Sequence, residues 1–268
     1  MIRTSSSFWN HKDYNHDEKK ITTFYETVND DRYRILHDVQ FSISDAKMLL
    51  DKKNLYSDIT LILDIDLTLG EALEMNQLFK NKVDHSEIKR LIDEFKAVLF
   101  HNQTCLFVLR PYFTEFIRFV DQNFKEVIIW TNGVQAHADH MVDLVKMITG
   151  KKWKGYGRDF SNDYRKIVTS IGLDPLKTWM VDDDLMHFQI YIKDGMIKQV
   201  NEGIKFFHIP IFSFTNFGTI EHEKIPLWGK EFEMYDDWFL ILIWNWNHMR
   251  EKNIHMKKFI RNDCIIVY

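Results

Sequence analysis

The apolar positions of this chain gather into short runs that stop abruptly at polar residues. Ile59-Thr60-Leu61-Ile62-Leu63 is one such run, and it ends on Asp64-Ile65-Asp66. A segment apolar at nearly every position, not at alternate ones, predicts a strand buried on both faces, as in a parallel sheet. Val127-Ile128-Ile129-Trp130 repeats the pattern and ends at Thr131-Asn132-Gly133, and Thr178-Trp179-Met180-Val181 repeats it again before Asp182-Asp183-Asp184. A fourth strand is predicted over 206–212. Between the strands the spacing changes. Phe113, Phe116, Ile117, Val120 and Phe124 recur at helical intervals after Arg110-Pro111 and read as the core face of a helix. Further helices are predicted over 135–147, over 166–171 with Gly172 as C-cap and Pro175 just beyond, and over 236–250. Ser44 is placed to cap a helix from Asp45, and the polar, partly helical stretch 71–100 reads as insertions over a site.

Helices alternating with buried strands predict an α/β fold: a central parallel sheet, helices on both faces, three layers, small cap insertions. The predicted division is an N-terminal extension over 1–55, partly helical with a mobile start, and one domain over 56–268. The extension carries no recognisable chemistry.

Composition narrows the classes. The chain has 268 residues, 45% hydrophobic and 28% charged, the balance of a globular protein. Ten glycines and four prolines leave little for long flexible linkers. A net charge of −4 gives no global basic field, so direct nucleic-acid binding is not expected. The basic runs Lys151, Lys152, Lys154, Arg158 and Lys252, Lys257, Lys258, Arg261 read as solvated surface. Cys105 and Cys264 are far apart and lack zinc spacing or a disulfide framework, which suits a reducing compartment, cytoplasm or nucleus. The longest apolar run, 238–246, is too short to span a bilayer and the polar start is no secretory signal, so no membrane partner is expected. Trp228, Trp238, Trp244 and Trp246 read as core, as does Cys105.

Three strands thus end in polar clusters: Asp64/Asp66/Thr68, Thr131/Asn132 and Asp182/Asp183. In an open parallel sheet the ligand crevice lies beyond the carboxyl ends of the strands, so residues distant in sequence converge there. Lys166, on the element before the third strand, can reach the same mouth. Several carboxylates in one crevice repel one another, and a hard cation such as Mg²⁺ relieves this while also binding phosphate oxygens. Lys166, Thr68 and Thr131 can hold the remaining oxygens. One carboxylate can attack phosphorus and a second, two residues on, can move the proton. His137, His140 and His187 lie near these clusters and read as core or surface histidines, not ligands.

Asp64-Ile65-Asp66-Leu67-Thr68 resembles the DxDxT signature of haloacid-dehalogenase (HAD) phosphatases. The similarity is greatest to the small C-terminal-domain phosphatases, the NLI-interacting-factor-like group. It extends through Arg110-Pro111-Tyr112-Phe113-Thr114-Glu115-Phe116, through Trp130-Thr131-Asn132-Gly133, and through the sixteen-residue step from Lys166 to Asp182, covering about 58–212. The resemblance implies a HAD-like fold and a Mg²⁺-dependent phosphatase acting on a phosphorylated protein, phosphoserine or phosphothreonine first. It implies Asp64 as nucleophile and metal ligand. Asp66 would be general acid/base with its carbonyl on the metal, and Thr68 would orient that acid. Thr131, with Asn132 and Lys166, would bind phosphate. Asp183 and Asp182 would serve the metal and Lys166, either one being the direct ligand.

Two departures bear on the subfamily: Asp182-Asp183-Asp184-Leu185 replaces the group's Asp-Asn-Ser-Pro, and Trp-Thr-Asn-Gly replaces Phe-Thr-Ala. Three other readings stay open. The chain could be a HAD phosphatase for small molecules or nucleic-acid ends. It could be a non-catalytic scaffold. It could resemble the nucleocapsid-assembly phosphatases of baculovirus-type viruses, virion-associated and acting on a basic DNA-packaging protein; scarce Gly and Pro suit such an AT-rich genome.

Overall fold

A computed structural model describes residues 19–20, 40–41, 43–80, 85–184, 187, 190–193, 196–199, 201, 203–209, 211–212, 238–251 and 266–267. Most of the predicted extension, Trp228, Cys264 and the basic run from Lys252 to Arg261 lie outside the described residues. The elements in order are β1 (Lys19–Lys20), β2 (Gln40–Phe41), α1 (Ile43–Leu49), β3 (Tyr56–Leu63), β4 (Gly70–Glu74), α2 (Met75–Lys80), α3 (His85–Asp93), β5 (Ala97–Phe100) and β6 (Cys105–Leu109). They continue with α4 (Phe113–Asn123), β7 (Phe124–Trp130), α5 (Gln135–Thr149), β8 (Lys154–Tyr156), β9 (Thr178–Asp182), β10 (Ile190–Lys193), β11 (Met196–Gln199), β12 (Lys205–His208), α6 (Trp238–Glu251) and β13 (Ile266–Val267).

The main sheet has the order β13-β12-β9-β3-β7-β8. The five strands β12, β9, β3, β7 and β8 run parallel, and β13 pairs antiparallel at the edge. Side chains alternate between the two faces of these strands, and both faces are covered, which is why the runs are apolar throughout. Leu61 and Leu63, Val127 and Ile129, Trp179 and Val181, and Phe207 join one core with residues of α1, α4, α5 and α6. Ile62, Ile128, Trp130, Met180 and Phe206 join a second core. That second face is closed by Val168, Ile171 and Leu173, not by a long helix, among the described residues.

The predicted helix over 166–171 is the clearest correction. Only Val168–Ile171 is helical, and it is a 3-10 turn ended by Gly172 at φ 78°. Ile167, Val168, Thr169 and Ile171 are β-branched, and a stretch this short cannot repay helix nucleation. Lys166 therefore sits in a loop. Ser44 lies inside α1, which starts at Ile43. The fourth strand ends at His208, earlier than predicted; the sequence has Pro210 just beyond, which brings no N–H to a ladder. The closing helix is Trp238–Glu251.

The stretch 71–100 is more than a partly helical insertion. With β6 it forms a three-stranded antiparallel sheet, order β4-β6-β5, carrying α2 and α3 between β4 and β5. Leu73, Leu78, Ile88, Leu91, Ala97, Leu106 and Val108 give this cap its own small core with Phe212. Gly70, where β4 starts, is needed for close approach: a Cβ there would lie 2.3 Å from the Val108 carbonyl and 2.4 Å from the Phe107 ring.

Candidate functional site

The chain leaves β3 for β7 and β8 on one side and returns to β9 and β12 on the other. The switch point therefore lies between β3 and β9, where a crevice opens beyond the strand ends. Register sets what meets there. Leu63 pairs with Val181, and the Asp64 N–H donates to the Val181 carbonyl at 3.1 Å. Asp64 and Asp182, 118 residues apart, thus end adjacent strands side by side.

Beyond Asp64 the backbone folds back on itself. The Leu67 N–H donates to Gly70 O at 2.7 Å with Leu67 at φ 62°, and Phe212 N–H donates to Leu67 O at 2.7 Å. Arg110, fully buried, donates from Nη1 to the Thr68 carbonyl at 3.2 Å and lies between the Phe212 and Phe239 rings, 5.6 Å from each centroid. The Thr68 hydroxyl donates to Asp183 Oδ1 at 2.8 Å and accepts from the Asp183 N–H at 3.0 Å. Thr68 thus ties the first strand end to the third; its hydroxyl is bonded to Asp183, not to Asp66.

Lys166 is fully buried and donates to Asp64 Oδ1 and, at 2.7 Å, to Asp182 Oδ2. Asp182 Oδ1 accepts the Asp184 N–H at 2.8 Å, so both its oxygens are engaged. The loop that carries Lys166 is clamped by Asn201, whose Nδ2 donates to the Lys166 carbonyl at 2.6 Å and to the His187 carbonyl at 2.8 Å. Its Oδ1 accepts the Val168 N–H at 2.8 Å. Asp64, Asp182 and Asp183 offer oxygens all within 4.8 Å of one another, the one such group among the described residues.

Asp66 turns elsewhere. Its Oδ1 lies 3.0 Å from His137 Nε2 and its Oδ2 accepts the Thr131 hydroxyl at 3.2 Å. Thr131 Oγ1 also accepts the Gly133 N–H at 2.8 Å. Asn132 spends both ends of its amide on the following loop: Nδ2 donates to Tyr164 O at 2.8 Å, and Oδ1 accepts from Ser161 at 2.9 Å.

The electrostatics follow from one ammonium facing three carboxylates. Burial pushes Asp64 up to about 7; Lys166 opposes this, and Asp182 and Asp66 reinforce it. Burial likewise pushes Asp182 up to about 6 against Lys166, and Asp183 up to about 6 with help from Asp64. For Lys166 burial works against the charge, but Asp182 and Asp64 outweigh it and hold the amine protonated. For Asp66 burial also works against the charge, yet the His137 bond and charge and the Thr131 bond prevail and hold it below the usual carboxylate range.

A family model for NLI interacting factor-like phosphatases matches residues 59–198. The chain belongs to this family. No curated protein matched. Among solved structures, the chain is similar to fission yeast Fcp1, an RNA polymerase II CTD phosphatase, bound to beryllium fluoride. The TM-score is 0.42 at 14% identity, over 77% of this chain and 55% of that one. A second Fcp1 structure matches with a TM-score of 0.44 at 17% identity, over 75% of this chain and 55% of that one. The chain spans little more than half the length of these relatives.

The strand-end residues were visible as motifs; the groups that hold them were not. His137, whose sequence context suggests a core or surface histidine, is buried and touches Asp66. Its nearness to the second motif was the available signal. His187, fully buried, accepts the Lys166 N–H on Nδ1 at 3.4 Å and is pushed down to about 3 by burial and by Lys166. Asn201 and His101 carried no sequence signal; Arg110 stood in the Arg-Pro segment that resembles the family, with no role assigned to it. The basic run near 151–158 is partly neutralised: Lys151 pairs with Asp121 at 2.9 Å and Lys154 with Glu126 at 2.7 Å. No described helix is long and apolar enough to cross a membrane.

Proposed function

We propose that the chain is a magnesium-dependent phosphatase that hydrolyses phosphoserine or phosphothreonine in a protein through an aspartyl-phosphate on Asp64. The observation that carries this reading is the division of labour between two aspartates two residues apart. Asp64 sits on Lys166 among carboxylates, while Asp66 sits on His137 and Thr131. One is placed to attack and the other to carry a proton.

The donor set suits a hard cation. Three carboxylates within 4.8 Å share one lysine, and burial raises all three, so an oxygen-seeking dication would relieve their repulsion. Asp64 and Asp183 would hold it. Asp182 is less suited, because Lys166 and the Asp184 N–H occupy its two oxygens. When bound, magnesium would neutralise phosphate charge and position the ester for in-line attack.

The remaining chemistry belongs to the chain. Lys166 would swing its charge from Asp64 toward a phosphate oxygen, which frees the Asp64 carboxylate to attack phosphorus. The bond from phosphorus to the ester oxygen breaks, and that oxygen takes its proton from Asp66. Asp66 is ionised at rest; the incoming phosphate dianion raises its proton affinity, so it takes up a proton from solvent as substrate binds and carries that proton to the ester oxygen. Asp66 then takes a proton from water as the water oxygen attacks the aspartyl-phosphate and releases Asp64. Thr131 holds Asp66 and, with Lys166, lines the phosphate subsite; Asn132 shapes it through the 161–164 loop. A protein substrate is favoured by the rim, where Val134, Phe160 and Tyr164 are exposed next to these residues and would meet chain flanking the phosphoresidue.

The test is hydrolysis of p-nitrophenyl phosphate and of phosphopeptides by the purified chain, with magnesium or with EDTA, beside Asp64→Asn. Magnesium-dependent turnover lost in Asp64→Asn supports the reading. A folded, magnesium-binding protein without turnover would favour a scaffold, and preference for nucleotides or nucleic-acid ends over phosphopeptides would overturn the substrate class.

A further inference from the structure

Three histidines from two separate elements crowd behind Asp66. His137 opens α5, and its Nε2 lies 3.0 Å from Asp66 Oδ1. Its Nδ1 lies 3.1 Å from Nε2 of His101, which stands in the turn between β5 and β6 of the cap. The two rings stack with centroids 5.3 Å apart and planes 14° apart. His140 closes the group edge-on to His101 at 4.8 Å, itself stacked on Phe100 at 5.3 Å. Phe107 and Phe100 wall the His137 ring at 5.8 and 5.6 Å.

An ionised carboxylate only accepts, so His137 Nε2 carries the hydrogen of the bond to Asp66. Nδ1 of the same ring faces His101 Nε2, and the two rings share one hydrogen whose owner the tautomer sets. Burial and then its histidine neighbours depress the proton affinity of His101. A line of contacts therefore runs from the cap inward: His101 to His137 to Asp66. The turn that delivers His101 is conformationally expensive. His101, Asn102 and Gln103 all have positive φ, 50°, 53° and 68°, and none is glycine. Left-handed backbone is strained for residues with a Cβ, and strain of this kind persists where the surroundings enforce it. Thr104 holds the turn by donating both its N–H, at 3.2 Å, and its hydroxyl, at 2.7 Å, to the His101 carbonyl.

We infer that His137 is the positioning residue of the acid/base Asp66, and that His101 reaches in from the cap to fix the ring of His137. This inference rests on the phosphatase reading above. His137 holds the Asp66 carboxylate in one rotamer, with Oδ2 on Thr131, so that the acid faces the ester oxygen when substrate arrives. The cap thereby takes part in the proton-transfer geometry of a site built otherwise from the main sheet.

Leaving-group dependence separates this role from a merely structural one. Phenyl phosphate needs a proton delivered to its departing oxygen, whereas p-nitrophenolate leaves without one. The full chain with magnesium, wild type and His137→Ala, His137→Gln and His101→Ala, is assayed on both esters. In His137→Ala, kcat/KM, which reports the steps up to departure of the alcohol and not the later hydrolysis that both esters share, should fall about 100-fold on phenyl phosphate, the lower end of what general acid catalysis supplies, and stay within about threefold on p-nitrophenyl phosphate. His137→Gln, whose amide can donate from near the Nε2 position, should recover most of the loss. His101→Ala, at a partly exposed position and so the variant least prone to misfold, should show the same selectivity with a smaller loss. Equal losses of kcat/KM on both esters, or no rescue by glutamine, would overturn the positioning role while leaving the phosphatase reading intact. A wild type inert toward both esters would overturn the phosphatase reading, and this inference with it.

Discussion

Lys166 is the ammonium on which the site balances. It is fully buried between Asp64 and Asp182. Removing one partner of a buried ion pair leaves the other uncompensated, which costs about 3–5 kcal/mol. Lys166→Met should therefore destabilise the metal-free protein by about that amount in urea denaturation, and magnesium should restore part of the loss by replacing the missing charge. A variant as stable as wild type in EDTA would show that the carboxylates do not ionise together. The same crowding gives a pH signature. Asp64 is raised from 3.8 to about 7 and Asp183 from 3.8 to about 6, so the folded state holds these protons more tightly than the unfolded chain does. Their contribution to stability is present below 3.8 and is lost as pH rises through about 6 to 7. The urea midpoint in EDTA should fall across that window, and Asp183→Asn should flatten the fall; an unchanged slope in Asp183→Asn would count against it. At this scale the motif residues were legible because each closes an apolar strand on its own. His101 was not, since its meeting with His137 depends on cap pairing that no local pattern announces.

At the scale of elements, strands read well and short connections poorly. β3, β7 and β9 are apolar because both faces are buried, and burial on both faces leaves a pattern in sequence. The segment before β9 leaves none. Its β-branched residues suit a strand, a 3-10 turn or a poor helix alike, and the choice is made by Asn201 and His187, 33 and 21 residues away from the backbone groups they hold. The cap strands were missed for a related reason. β4 (Gly-Glu-Ala-Leu-Glu) is half-exposed and its two glutamates read as loop, while β5 (Ala-Val-Leu-Phe) is apolar but only four residues long, too short for periodicity to tell a strand from a helix. Gly70 is tightly packed at the start of β4. Gly70→Ala would drive a methyl against Val108 O and the Phe107 ring, and overpacking of this kind costs about 1–3 kcal/mol. Because Gly70 O also accepts the Leu67 N–H, the shift should reach the Asp66 loop, and kcat should fall together with the urea midpoint. A stability loss with unchanged kcat would show that the cap moves independently of that loop.

Across the whole molecule, chemistry and stability occupy opposite ends of the sheet. Asp64 and Asp182 lie at the carboxyl ends of β3 and β9. Tyr56 and Phe124 start β3 and β7, and Trp179 is the second residue of β9. Trp246 of α6, fully buried, packs against all three, with ring centroids 6.3 Å from Tyr56, 5.2 Å from Phe124 and 5.9 Å from Trp179, and it reaches Phe207 at 5.5 Å. One indole thus ties the closing helix to four strands of the sheet, three of them at the end away from the acids. Truncating a buried tryptophan costs about 3–5 kcal/mol through lost burial and the cavity left behind. Trp246→Ala should lower the urea midpoint accordingly, yet below its transition kcat and KM should match wild type, since the rings Trp246 packs against, Tyr56, Phe116, Phe124, Trp179 and Phe207, are none of them residues of the acidic crevice. Trp246→Phe should recover much of the stability by refilling part of the cavity. If kcat fell in a folded Trp246→Ala protein, the two ends of the sheet would be coupled through β3 and β9, and α6 would have to be counted as part of the catalytic scaffold.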